Sequence, residues 1–217
     1  MQEVNWKIDT PAEFICTDNY YLIKGIKYAR VTRINSIIDK PELRNWYAKT
    51  GAEKSKQILK KRAGFGSTSH KLIEVTLKGE TISRKNYDQY LLDSLDEFTK
   101  WSKEHTIISQ AVEQHLWSDT YKYAGTCDCI AILDDKLMIL DWKTSKAIYD
   151  EYWLQMAAYA YAFYEQTGIK VSGVGILQMH DGQHTFITKT YDEIMKEFPV
   201  FIAAQIIYNW KYGDDSQ

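Results

Sequence analysis

Two aspartates and a lysine have the types and the spacing to do chemistry. Asp128 closes Gly125-Thr126-Cys127-Asp128, and Asp141 and Lys143 fall in Ile139-Leu140-Asp141-Trp142-Lys143-Thr144, with Asp134-Asp135 between the two runs. Both runs have the composition of strands, and the aspartate pair suits a two-residue hairpin turn. With that turn Asp128 faces Asp141 on the neighbouring strand, Cβ atoms about 5 Å apart, and Lys143 shares the face. Carboxylates this close repel each other. A divalent cation is the usual remedy, and oxygen ligands suit Mg²⁺ or Mn²⁺. A cation beside a lysine suits phosphodiester hydrolysis: the metal activates water and neutralises phosphate charge, while Lys143 orients the nucleophile and stabilises the pentacoordinate state. A longer loop would shift the register and undo the juxtaposition. Taken alone, Asp-x-Lys is more often an exposed ion pair at a strand end, so the elements around it matter.

Those elements read as an α/β chain. Tyr20–Lys24 and Ile26–Val31 suit short strands about Gly25. Pro41 can open a helix running through Ala48, a basic helix follows near Ala52–Arg62, and another should start after Gly64-Phe65-Gly66-Ser67-Thr68, where Ser or Thr can cap. A further helix covers roughly Tyr87–Lys103. Thr106–Leu116, Tyr121–Leu133 and Lys136–Trp142 form a three-stranded meander, Asp150–Gln166 a long helix, and Val171–Met179 with His184–Thr190 a hairpin about Asp181-Gly182. Asp192–Lys211 should be one closing helix. Ile130 and Ile132 on one face and Ala131 and Leu133 on the other make both faces of the central strands apolar, so helices should cover both. With three prolines and no low-complexity linker or repeat, residues 1–217 read as one domain: a basic, mainly helical part over 1–105, a catalytic sheet over 106–190 and a terminal helix over 191–217.

Several motifs in this order resemble the PD-(D/E)XK nucleases, and within them the RecB-type exonuclease branch. Gly66-Ser67-Thr68-Ser69-His70 with Glu74 resembles that branch's G-T-x-x-H…E helix. Gly125-Thr126-Cys127-Asp128 resembles its G-x-x-D strand, Asp141-Trp142-Lys143 its D/E-x-K, and Gln155-Met156-Ala157-Ala158-Tyr159 its Q-x-x-x-Y. Arg30-Val31-Thr32-Arg33-Ile34 and Leu43-Arg44-Asn45-Trp46 resemble the lead-in of phage and mitochondrial genome maintenance exonucleases, so the similarity runs from about Val31 to Tyr159. The resemblance implies a restriction-endonuclease-like core, a mixed central β-sheet flanked by helices on both faces. It implies a metal-dependent DNA exonuclease of phage or bacterial recombination, repair or processing. By the same resemblance His70, Asp128, Asp141 and the backbone carbonyl of Trp142 would be metal ligands, Lys143 would be catalytic, and Gln155 and Tyr159 would complete the substrate site. Physically, Gln155 and Tyr159 lie at i and i+4 on one helical face, where an amide and a phenol can hold a phosphate or a water, or simply pack. Two departures stand out: Cys127 replaces the proline of the family name, and Asp141 replaces the commoner glutamate. Some members carry a four-cysteine iron-sulfur cluster, but no cysteine follows Cys129, so none is expected here. By strand alternation Cys127 and Cys129 should both face away from Asp128 as buried apolar residues.

Other side chains are candidates of a lesser kind. Glu113 on the first central strand and Glu74, one turn beyond His70, fit either beside the metal pocket or in solvent. His180 and His184 have H-x-x-x-H spacing, but Asp181-Gly182 puts them on a turn and not on the helix a zinc protease needs. Net charge is −2, yet residues 1–85 hold 17 Lys+Arg against 9 Asp+Glu and the remainder 10 against 20. That asymmetry suits a chain that grips a polyanion with one part and gathers carboxylates in another. Lys54, Lys56, Lys60, Lys61 and Arg62, and earlier Lys24, Lys27, Arg30 and Arg33, could track DNA phosphates or form solvated faces. Seven Trp and 16 Tyr leave some for stacking on unpaired bases, Trp46 and Tyr47 first among them. Three cysteines and the absence of an apolar leader or membrane span point to a cytoplasmic protein with reduced thiols and no membrane partner. A structure-selective endonuclease, and a catalytically inactive DNA-binding module of the same fold, are the alternatives to an exonuclease.

Overall fold

The computed structural model describes residues 6–213. Three of the hairpins in the sheet turn on two residues with positive φ. Lys24 (50°) and Gly25 (77°) join β2 (Tyr20–Ile23) to β3 (Ile26–Arg30), Asp134 (47°) and Asp135 (66°) join β5 (Tyr123–Leu133) to β6 (Lys136–Lys143), and Asp181 (51°) and Gly182 (70°) join β7 (Gly173–His180) to β8 (Gln183–Thr190). Two left-handed residues in succession make the turn whose twist matches that of the flanking strands. Asp134 gains further hold by accepting from the Thr106 amide at 2.8 Å and contacting His105 Nδ1 at 2.6 Å.

The eight-stranded sheet runs β1-β2-β3-β5-β6-β7-β8, where β1 is Phe14–Cys16, and β4 (Ile107–Ser118) also pairs with β5. The β3–β5 and β6–β7 pairs are parallel and the others antiparallel. The N-terminal strands therefore extend the central sheet; they were not anticipated as part of it. Helices α1 (Val31–Asn35), α5 (Asp150–Thr167), α6 (Tyr191–Ile194) and α7 (Phe198–Tyr212) cover one face, packing around Ile130, Ile139, Phe163 and Phe201. Helices α3 (Ala52–Leu77) and α4 (Gln89–Glu104) cover the other, where Ile73, Phe98 and Trp101 meet Ala131, Leu140 and Trp142. The α/β class, the mixed sheet and its two helical layers agree with expectation.

Three local expectations fail, each for a definite reason. The basic helix does not stop at the glycines: α3 is one helix of 26 residues through Gly64 and Gly66. Thr68 spends its hydroxyl on the Gly64 carbonyl four residues back, at 2.9 Å, and caps nothing. Packing of Leu72 and Ile73 in the core offsets the roughly 1 kcal/mol that each helical glycine costs. Val31 starts α1 and does not extend β3. The closing helix is two, because Pro199 has no amide to continue α6 and sits instead in the first turn of α7. Elsewhere the ends match closely: Pro41 opens α2 (Pro41–Thr50), and Asp88 caps α4 by accepting from the Leu91 amide at 3.2 Å.

Candidate active site

A strand has two hydrogen-bonding edges. On β5 one edge is paired with β4 along nearly its whole length, from Tyr123 to Leu133. The other edge pairs with β6 only from Leu133 to Cys129, whose partner is Leu140, and with β3 only at Tyr123 and Ala124. The stretch left between them, among the described residues, is Gly125-Thr126-Cys127-Asp128. The G-x-x-D motif is thus the place where β5 and β6 part. The register Cys129–Leu140 carried one step further sets Asp128 against Asp141, as expected from the turn. On the β4 side Glu113 falls opposite Asp128, between the pairs Val112–Cys129 and Gln114–Cys127. Three carboxylates stand in one row across three strands.

Each member of the row is held differently. Asp128, 8% exposed, accepts from the Trp142 amide through Oδ2 at 2.8 Å and meets His70 Nδ1 through Oδ1 at 3.2 Å. Burial pushes its carboxyl up, but the charge and hydrogen bond of His70, then Lys143 and the Trp142 amide, outweigh it and hold Asp128 below the usual range. Asp141, 2% exposed, has the Lys143 ammonium 2.6 Å from Oδ2, yet no hydrogen bond of good angle reaches that oxygen. Its burial outweighs the pull of Lys143, and Asp128 adds repulsion, so Asp141 lies above the carboxylate range. Neighbouring carboxyls pushed in opposite directions are a mark of acid and base sites. Glu113 has φ 53°, the left-handed region, and burial and then Asp128 raise its pKa. Burial lowers His70, but Asp128 more than compensates, and His70 is raised. For Lys143 burial lowers, and the two aspartates together raise it above its ordinary value.

Lys143 is fixed on three sides. Besides Asp141 it donates to Gln155 Oε1 at 3.3 Å and lies 4.8 Å from the centre of the Tyr152 ring. Gln155 in turn donates to the Tyr159 hydroxyl at 2.9 Å, and Tyr159 packs on Gly125 so closely that an added Cβ there would come within 2.7 Å of its ring. The glycine of the motif is therefore a packing requirement of the tyrosine, and Q-x-x-x-Y and G-x-x-D support each other. Tyr152 was missed in the sequence; its place three residues before Gln155, on the same helical face, was the available signal.

Some expectations about neighbours need correction. Cys127 packs in the α5-side core and Cys129 in the α4-side core, so they do not share a face. Alternation breaks at Asp128, where the ladder with β6 ends and Glu113 leaves extended backbone. Glu74 is buried but turned to Lys71 (2.8 Å) and Lys78 (2.6 Å), which hold its carboxyl below the usual range. His184 contacts Glu97 at 2.8 Å and His180 contacts Asp181 at 3.3 Å, on the β7–β8 hairpin. A cleft of about 1130 Å³ lies over His70, Trp142 and Lys143. Of the basic run only Lys61 and Arg62 line it, with Lys146, and its rings include those of Phe65, Tyr90, Tyr149 and Tyr152. Trp46 and Tyr47 pack on each other in α2, with centroids 5.5 Å apart, outside the cleft.

The donor set fits a divalent cation. Ligand atoms of His70, Glu113 and Asp128 lie within 4.8 Å of one another; Asp141 is not in that group, and its buried Oδ2 faces the Lys143 ammonium without a directed hydrogen bond. Donors about 2.1 Å from one ion can be no more than about 4.2 Å apart, so the group needs to close by only a fraction of an ångström.

No helix among the described residues is long and apolar enough to cross a membrane. Among solved structures the chain is similar to SSO0001, at 15% identity over 83% of this chain and 74% of that one, with a TM-score of 0.45. It is also similar to the alkaline exonuclease LHK-Exo from Laribacter hongkongensis, at 13% identity over 87% of this chain and 93% of that one (TM-score 0.39), and to LHK-Exo in complex with dAMP, at 14% identity with the same coverage (TM-score 0.40). No curated protein sequence matches the chain. Residues 43–180, which hold the carboxylate row, His70, Lys143, Gln155 and Tyr159, match the family described as "Protein of unknown function (DUF2800)", and the chain belongs to that family.

Proposed function

We propose that this protein is a divalent-metal-dependent nuclease that hydrolyses DNA phosphodiester bonds, working from strand ends as an exonuclease. The observation that carries the reading is the convergence of Asp128, Asp141, Lys143 and His70, from two strands and one helix, at the point where β5 and β6 separate. The motif resemblance adds DNA and the exonuclease mode. His70 and Asp128, with Glu113 in the same group of ligand atoms, would hold Mg²⁺ or Mn²⁺, and Asp141, now turned to Lys143, would complete the set. In extended backbone the N–H and C=O of one residue face the same neighbour; the Trp142 amide donates to Asp128, so its carbonyl is turned toward the same gap and suits a further ligand. The bound ion would supply positive charge to the scissile phosphate and acidify a water.

The remaining steps belong to the side chains. The Lys143 ammonium, steadied by Gln155 and the Tyr152 ring, would orient the attacking water and then stabilise charge on the pentacoordinate phosphorus. Tyr159 keeps Gln155 in place. Lys61, Arg62 and Lys146 along the cleft would take phosphates on either side of the cut, with the aromatic walls for bases. End-labelled single- and double-stranded DNA incubated with Mn²⁺, Mg²⁺ or EDTA tests this directly. Shortening from an end with either metal, none in EDTA, and Mn²⁺ at least as effective as Mg²⁺ are expected, since an imidazole among the ligands favours the later metal. Activity with Mg²⁺ but not Mn²⁺ contradicts the ligand set. Cutting of circular single-stranded DNA converts the reading to an endonuclease, and no product with any divalent ion overturns it.

A further inference from the structure

A second cavity, of about 480 Å³, lies where β3, α1 and α7 meet, and none of its residues lines the cleft over His70 and Lys143. Lys27, Arg33 and Lys122 line it, together with Tyr28, Tyr208 and Tyr212. Arg33 and Lys122 are exposed. Arg33 donates through Nε to a neutral group, the Asp18 carbonyl, at 3.1 Å. Lys122 donates to the Tyr28 hydroxyl at 3.4 Å and lies 3.8 Å from the Asp119 carboxylate, which itself accepts from Tyr28. Tyr208 and Tyr212, one turn apart on α7, have ring centroids 5.2 Å apart, and Tyr212 is 44% exposed. Cations beside an accessible aromatic ring offer a nucleic-acid strand both of the groups it needs, charge for phosphates and a π-face for a base.

The place of this cavity in the fold gives it a purpose. Lys122 immediately precedes β5, the strand that carries Asp128 six residues later, which puts the two on the order of 20 Å apart at strand rise. That span equals about six nucleotides at the roughly 3.4 Å rise of a stacked strand. We propose that the cavity is a second grip on the strand being cut, holding phosphates and a base about six nucleotides from the carboxylate row. The proposal rests on the nuclease reading and adds a length requirement to it.

Steady-state cleavage of single strands of about 6 and about 24 nucleotides, with Mn²⁺, compares the wild type with the doubly substituted Arg33→Glu/Lys122→Glu protein. The wild type should show a KM for the longer strand lower by about tenfold or more. The variant should lose most of that ratio through KM and not through kcat. Its slope of log affinity against log salt for the longer strand should fall by about 1.4, two contacts at about 0.7 each. A length ratio that survives the double substitution, or equal losses for both lengths, overturns the second grip and leaves the nuclease reading standing. A wild type that cuts neither length overturns both.

Discussion

The turn half and the open half of the β5–β6 hairpin are joined end to end and obey different rules. From Asp134–Asp135 to the Cys129–Leu140 pair, every position is matched and, Lys136 beside the turn apart, the side chains are apolar, Ile130, Ala131, Leu137, Ile139 and Leu140 among them, going alternately to the two cores. From Asp128 to Gly125 the same edge of β5 has no partner strand among the described residues, and carboxylates, a lysine and a tightly packed glycine take the place of aliphatic side chains. In the first half the backbone is satisfied by the ladder. In the second, the Trp142 amide turns to a carboxylate, and the ladder's regularity is given up so that charged groups can meet. On the proposed reading stability is concentrated in one half and chemistry in the other, although only a few residues separate them.

Changes in the two halves should therefore separate cleanly. The largest effect is expected from Lys143→Ala, a loss of cleavage of about 10²–10³-fold or more with DNA affinity and melting temperature close to wild type. Parallel loss of binding and cleavage would assign Lys143 to holding the strand or the fold. Next is Ile130→Ala in the matched half, which empties a fully buried site and should cost about 2–5 kcal/mol in urea unfolding, while the fraction still folded cuts DNA at the wild-type rate. A lower rate per folded molecule would mean the halves are coupled. Gly125→Ala sits between, since the new methyl meets the Tyr159 ring: about 1–3 kcal/mol of stability and a lower kcat should be lost together, and Tyr159→Leu in the same chain should recover the stability but not the rate. Recovery of both would make the tyrosine a spacer. Smallest is Asp135→Gly in the turn, where φ is 66°; relief of the left-handed strain, less the entropy of the freer unfolded chain, should add about 0.5–1 kcal/mol, read from the unfolding midpoint, with kcat unchanged.

Much of the matched half could be read from residues alone. Asp134-Asp135 between β-branched runs specified a two-residue turn, and a two-residue turn specifies the register of all the pairs behind it, so Asp128 and Asp141 were correctly set against each other. Gln155 and Tyr159 were correctly set on one helical face. The open half was less legible. Nothing local marks Asp128 as the residue where β6 leaves β5, and strict alternation therefore sent Cys127 to the wrong core. Glu113 could be placed on the first central strand, but its left-handed backbone and its position opposite Asp128 depend on a β4–β5 pairing shifted by the irregularity between Ser109 and Ala111. Local rules also stopped α3 at its glycines, because the apolar contacts that carry the helix past them come from the distant strands β5 and β6 and from α4.

Turn chemistry, hydrophobic period and motif order, all properties of neighbouring residues, were enough to determine the α/β class, the hairpins and the identities of the acidic, basic and imidazole groups. Which of those groups share a space was decided by tertiary structure: the parting of two strands at Asp128, the approach of α3 that brings His70 to it, and the seating of Tyr159 on Gly125. These are contacts between residues far apart in the chain, whose energies exist only after the sheet has closed and buried them, and no local propensity records them.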